Sequence, residues 1–233
     1  MKKWSLLALA SALLLGCGSN DAEDAIVDTV GLNIDSLSSQ QKQDYAQIST
    51  DINTLILFIA GQCFEAESER NPNMEITGFT CNIADHKEAV SQTQFSSITL
   101  NSGMLDVNRS SQTEFKIQTK DNVKFHAASI SDGTLNYRLV DDNAIQFIIN
   151  ETGTDETGTD SASFRGFFRD DKTSDVTYWT VESLGTTPFS YYEDTNNQHS
   201  WLANGTAKIT GKDDKTFDWI TTAIGEVELP LTE

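Results

Sequence analysis

The chain has 233 residues, 35 Asp+Glu against 16 Lys+Arg, and a formal net charge of −19. That balance argues against a nucleic-acid binder, whose affinity comes largely from Lys and Arg on phosphates, and against anionic head groups as partners. The apolar content of 38% is enough for a folded domain, so the charge bears on solubility and association rather than on fold.

Lys2 and Lys3 precede a run from Trp4 to Leu15 that is apolar apart from Ser5 and Ser11. The run is shorter than the about 20 apolar residues that cross a bilayer, but it suits the core of a secretory leader. Gly16 supplies the small residue before a cut, and Cys17 follows it directly. Leu14-Leu15-Gly16-Cys17 resembles the lipobox of bacterial lipoproteins. The resemblance implies that residues 1–16 are removed and that the Cys17 thiol takes a diacylglyceryl group. The new amino end is then acylated, commonly with palmitate. Gly18 stands where an aspartate would favour inner-membrane retention, so the resemblance implies an outer-membrane lipoprotein facing the periplasm or the cell surface. Several acyl chains give stable anchoring where one gives marginal binding. The alternatives are an ordinary leader with an incidental cysteine, or a membrane helix, which the polar GSNDAEDA at 18–25 disfavours. Removing the leader takes two lysines and no acid, leaving 14 basic against 35 acidic residues, a charge of −21.

Residues 17–36 read as the lipidated cysteine and a tether, with a flexible reach of about 25 Å. Val30, Leu32 and Ile34 alternate, so its distal part can dock as a short strand. Residues 37–233 read as one globular domain. It opens with a helix over 38–60, started by the capping-box pattern Ser38-x-x-Gln41. Tyr45, Ile48, Ile52, Leu55, Ile56 and Ile59 follow it at steps of three and four, and Gly61 is its expected stop. The even pair Cys63 and Cys81 reads as a disulfide in an oxidising compartment. The loop it closes is worth about 3 kcal/mol in the chain-entropy model. A metal site is the alternative, without CxxC spacing to support it.

From residue 95 to 231 the pattern alternates. Phe115 with Ile117, Val123 with Phe125, Leu135-Tyr137-Leu139 and Ile145-Phe147-Ile149 read as successive strands. So do Val176 with Tyr178, Ala207 with Ile209, and Phe217 with Trp219. Turns are expected at 120–122, 131–133, 141–143, 169–175 and 211–215. This spacing is that of an antiparallel meander, barrel or sandwich. The expected fold is mainly β (α+β), with about eight to ten antiparallel strands and one N-terminal helix packed against them. The exact tandem ETGTDETGTD at 151–160 reads as a long polar hairpin loop.

Oxygen-bearing side chains in that tandem, Glu151, Asp155, Glu156 and Asp160, are candidate calcium ligands, although the spacing matches no EF-hand. Asp pairs at 141–142, 170–171 and 213–214 suit turns, where Asp hydrogen-bonds its own backbone. His86, His126 and His199 form no metal-binding spacing, and no G-x-S-x-G elbow is present. No catalytic residue is assigned. Trp179, Tyr191, Tyr192 and Trp201 are candidate ligand-binding aromatics, set among amides and acids that suit sugar rings. Tyr178 and Trp179 must face opposite sides of their strand.

The leading expectation is a lipid-anchored, non-catalytic binding or envelope-assembly domain. Its partners would be the bilayer through Cys17 and an envelope protein or a glycan, with no nucleic acid. The competitors are a glycan- or small-ligand-binding module built on the C-terminal aromatics, and a hydrolase with an unrecognised site.

Overall fold

The computed structural model describes residues 30–95, 98–130, 133–149, 160–170, 177–185, 188–194 and 199–230. The leader, Cys17 and the proximal tether lie outside them. The first elements are β1 (Val30–Gly31), α1 (Ser39–Arg70), β2 (Gly78–Asn82) and a short α2 (Lys87–Ser91). A meander follows: β3 (Ile98–Arg109), β4 (Glu114–Ile130), β5 (Gly133–Ile148), β6 (Asp160–Asp170) and β7 (Thr177–Ser183). The chain ends with β8 (Phe189–Asp194), β9 (His199–Ala203), β10 (Thr206–Thr210), β11 (Thr216–Thr221) and β12 (Val227–Glu228).

Helix α1 starts where the capping box puts it. Ser38 Oγ accepts from the Gln41 N–H at 3.2 Å, and Gln41 Oε1 accepts from the Ser38 N–H at 2.9 Å. All six apolar positions read from the spacing are buried. The expected stop at Gly61 fails, because α1 runs to Arg70. A glycine ends a helix by taking the left-handed conformation; Gly61 does not take it. The following QCFEAESER is composed largely of good helix formers, which carry the helix past the roughly 1 kcal/mol that a mid-helix glycine costs. Four polar residues in the buried stretch donate within the helix, while the Asn53 Oδ1 is buried without a partner. Ser49, Thr50, Asn53 and Thr54 donate to the carbonyls of Tyr45, Ala46, Ser49 and Thr50 at 2.7–2.9 Å.

The twelve strands among the described residues form one sheet; nine run in the order β12-β11-β10-β7-β6-β5-β4-β3-β2, with β1 on β7, β8 on β6 and β9 on β8 off this path. It is antiparallel except for β1, which lies parallel to β7, and it is not closed into a barrel. β6 forks: Asp160–Ala162 pair with β8, while Arg165–Asp170 pair with β7. Two expected turns are corrected. Residues 120–122 and 141–143 lie inside β4 and β5, which run on for 17 and 16 residues. Asp121 takes φ 59° within β4, and the β5–β6 register shifts between Val140 and Ala144. Sequence punctuation that suits a turn here marks bulges, which bend long strands without ending them. Gly103, at φ 122°, sits at the matching irregularity in β3. A Cβ there would fall 2.5 Å from the Val123 side chain, so the close approach of β3 and β4 requires glycine.

The helix crosses the strands and spans nearly the whole sheet. Gln43 reaches the Val227 carbonyl of β12 at 3.2 Å, and Tyr45 packs edge-on to Trp179 of β7 at 5.0 Å. At the far end Phe64 meets Phe115 of β4 and Phe79 of β2, at 5.8 and 6.3 Å. At 1.5 Å per residue α1 is about 48 Å long. Nine strands at about 4.8 Å spacing cover about 38 Å, so one helix can bridge both edges. Cys63 and Cys81 form a disulfide with Cα atoms 6.3 Å apart, pinning the end of α1 to edge strand β2.

The distal tether docks as its alternation suggests. Val30 lies opposite Thr177, and Leu32 and Ile34 are buried. A Cβ on Gly211 would fall 2.2 Å from the Leu32 carbonyl oxygen, so the docking depends on a bare backbone. Residues 30–34, ahead of residue 37, are therefore packed against the sheet. Among the described residues no helix is long and apolar enough to cross a membrane.

Candidate functional site

Beyond its middle, α1 no longer seals against the sheet. Between Leu57, Ala60, Gly61 and Phe64 of the helix and the inner faces of β3, β4 and β5 lies a cavity of about 170 Å³. Val107, Phe115, Ile117, Phe147 and Ile149 line its sheet side. The alternation of β4 places Phe115 and Ile117 on this face, and both are buried. Tyr191 of β8 closes the end, its ring edge-on to Phe147 at 5.6 Å. The walls are thus two edge-to-face aromatic pairs, Phe64 with Phe115 and Phe147 with Tyr191.

Two carboxylates, Asp160 and Glu193, complete this apolar lining. Asp160 pairs with Tyr191 in the ladder between β6 and β8, and Glu193 is two residues along β8, on the same face as Tyr191. Partial burial, together with the negative charges of Glu65 and Asp160, raises the Glu193 pKa. Burial and the neighbouring Glu193 also push the Tyr191 hydroxyl upward, so it stays neutral. Gly61 borders the cavity and is exposed, and a Cβ on it would meet nothing within 4 Å. The helix therefore leaves a gap at this point.

Glu193 also borders an adjoining cleft of about 520 Å³ between α1 and α2. Glu65, Asp85, Glu88 and His86 line it. His86 Nε2 lies 3.1 Å from Cys63 Sγ. Burial lowers the His86 pKa against the opposing pull of Asp85, which favours the neutral ring at pH 7. The two sulfurs and the imidazole cluster tightly, but the sulfurs are already bonded to one another. A larger open cleft of about 670 Å³ lies on the outer face beside Tyr178, Gly211 and Asp213.

The aromatics singled out in the sequence divide. Trp179 is fully buried against Tyr45 and Phe168, so it is core and not a binding surface. Its strand neighbour Tyr178 is half-buried and stacks on Phe167 at 5.5 Å, on the opposite face as alternation requires. Tyr191 is 9% exposed and belongs to the cavity wall. Tyr192 and Trp201 remain partly exposed and stack at 5.3 Å with 16° between planes. Trp201 is fixed by its indole N–H donating to the Ala223 carbonyl at 3.1 Å. Of the calcium candidates, Glu151, Asp155 and Glu156 lie outside the described residues, as does Cys17. Asp160 opens β6 and borders the cavity.

Sequence reasoning missed Phe64, Phe115 and Phe147 as site residues, because they come from three distant segments and each reads as core. The one local signal was Gly61, an unneeded break in helix propensity. No protein family matches the chain, and neither a curated protein nor a solved structure matches it.

Proposed function

We propose that the chain is an outer-membrane lipoprotein, held by lipid on Cys17, whose domain is a non-catalytic binding module with its site in the aromatic cavity. The observation that carries the binding reading is the cavity itself: an apolar, preformed space of about 170 Å³ with two carboxylates at one end, smaller than the roughly 300–1,000 Å³ of a drug-sized ligand's pocket and so fitted to a compact ligand. Its volume is close to the roughly 150 Å³ of an engineered cavity that takes up benzene. The anchor reading rests on the lipobox resemblance at Leu14-Leu15-Gly16-Cys17.

Saturation-transfer NMR with 3,3-dimethylbutan-1-ol, a compact neutral ligand, tests the site. The expected result is transfer to the tert-butyl protons that a Gly61→Phe variant abolishes. No transfer from either this alcohol or its cationic isostere choline, or transfer that the variant leaves intact, overturns the reading. For the anchor, Cys17→Ser is expected to move the protein from the membrane to the soluble fraction, and retention overturns it.

A glycan reading keeps one supporting observation, the stacked and partly exposed Tyr192–Trp201 pair with His199 edge-on to Trp201 at 5.6 Å. Quenching of tryptophan fluorescence by cell-wall oligosaccharides, lost in Trp201→Ala, is the result that would favour it.

A further inference from the structure

The walls and the rim of the cavity together select a chemical class of ligand, an inference that rests on the cavity reading above. Phe64, Phe147 and Tyr191 line the cavity with aromatic rings, whose faces carry negative quadrupole charge; Phe115 lines it too, with the Arg109 guanidinium already over its ring at 5.7 Å. Asp160 and Glu193 add formal negative charge at the same end as Phe147 and Tyr191. A neutral apolar ligand would use the rings but leave carboxylates facing its surface. A carboxylate or phosphate ligand would meet like charge. A compact, weakly hydrated cation uses both features, because it is attracted to the ring faces and to the carboxylates.

The environment of Glu193 adds to this. Burial is the main cause of its raised pKa, and the charges of Glu65 of α1 and Asp160 of β6 act in the same direction. Lysine-like ammonium groups are strongly hydrated and suit an aromatic cavity poorly. Methylated ammonium groups carry the same charge behind an apolar shell and are the usual guests of aromatic cages.

We infer that the cavity binds a small organic cation carrying a methylated, quaternary ammonium group, with the trimethylammonium head among Phe147, Tyr191, Asp160 and Glu193. The rest of the ligand leaves past Gly61, where the helix has no side chain.

Choline and its neutral isostere 3,3-dimethylbutan-1-ol have nearly the same shape, so their comparison isolates the charge. Calorimetry on the intact chain in a neutral detergent is expected to show choline binding about tenfold or more tighter than the alcohol. Glu193→Gln should lower choline affinity severalfold and leave the alcohol unchanged. Phe147→Leu keeps an apolar wall but removes a quadrupole, and should also weaken choline selectively; circular dichroism confirms that both variants are folded. Equal affinity for the two probes overturns the cation assignment while leaving the cavity reading intact. Choline affinity that both folded variants leave unchanged overturns it too. Binding of neither probe overturns both readings. Where choline binds, a tighter glycerophosphocholine assigns the group to a lipid head, and a weaker one assigns it to a free cation.

Discussion

Trp219 of β11 donates its indole N–H to Thr50 Oγ1 of α1 at 3.1 Å, with both residues buried. Thr50 in turn donates to the Ala46 carbonyl at 2.9 Å, so one hydroxyl serves as donor to its own helix and as acceptor from the sheet. Thr50→Val keeps the shape and strands the indole N–H in the core. The expected cost is about 1–3 kcal/mol, read as a lower urea midpoint with an unchanged slope. Thr50→Ser retains the oxygen and should lose less. A Thr50→Val midpoint equal to wild type would mean that the bond contributes nothing.

The disulfide pins the last turns of α1 to edge strand β2. Replacing Cys63 and Cys81 together by Ala is expected to cost about 3 kcal/mol. The loss should fall on the α1 C-terminus and on β2, seen as faster amide exchange in both. The same bond predicts that alkylation in denaturant modifies neither cysteine unless a reductant is added. Labelling without reductant would show free thiols.

Burial raises the Asp51 carboxyl from 3.8 to about 6, against the opposing hydrogen bond from Gln47. A folded-state pKa above the unfolded one means that the native chain holds the proton more tightly. Stability from this group is therefore fully present below 3.8 and is lost as pH rises through about 6. Asp51→Asn should flatten that slope and raise the melting temperature at pH 7. An unchanged pH profile would remove Asp51 as its cause.

Much of this architecture was readable because it follows from short-range periodicity. The i, i+3, i+4 run of Tyr45 to Ile59 and the capping pair Ser38–Gln41 are local, and the helix starts where they say. Strand alternation was equally clear at Phe115–Ile117 and at Ala207–Ile209. What failed was punctuation. Asp at 121 and Asp-Asp at 141–142 suit a turn and a bulge equally well, and only the partner strand decides which forms. Gly61 reads as a stop on one strand of evidence, while the favourable residues after it and the disulfide at Cys63 carry the helix on. The site was hidden for another reason. Alternation shows that Tyr178 and Trp179 face opposite ways, but not which way is in; packing against Tyr45 settles that for Trp179. The cavity needs Phe64, Phe147 and Tyr191 to converge across more than a hundred residues of chain, and no local pattern encodes that meeting.

Gly61 separates stability from binding, so its variants give the sharpest test of the site. Gly61→Ala adds a Cβ into open space, since nothing lies within 4 Å of it. It should raise stability by about 0.8–1.0 kcal/mol through helix propensity alone and leave choline affinity nearly unchanged. Gly61→Phe should also gain stability, though less, because an aromatic residue is the poorer helix former. Its ring, however, would occupy the gap beside Phe64 and Glu193. The expected pair of readings is therefore a raised urea midpoint in both variants, with choline binding retained in Gly61→Ala and abolished in Gly61→Phe. If Gly61→Phe binds as wild type does, the ligand does not enter beside Gly61. If Gly61→Ala is destabilised, the backbone at residue 61 is not held in an ordinary helical turn, and the helix does not run unbroken to Arg70.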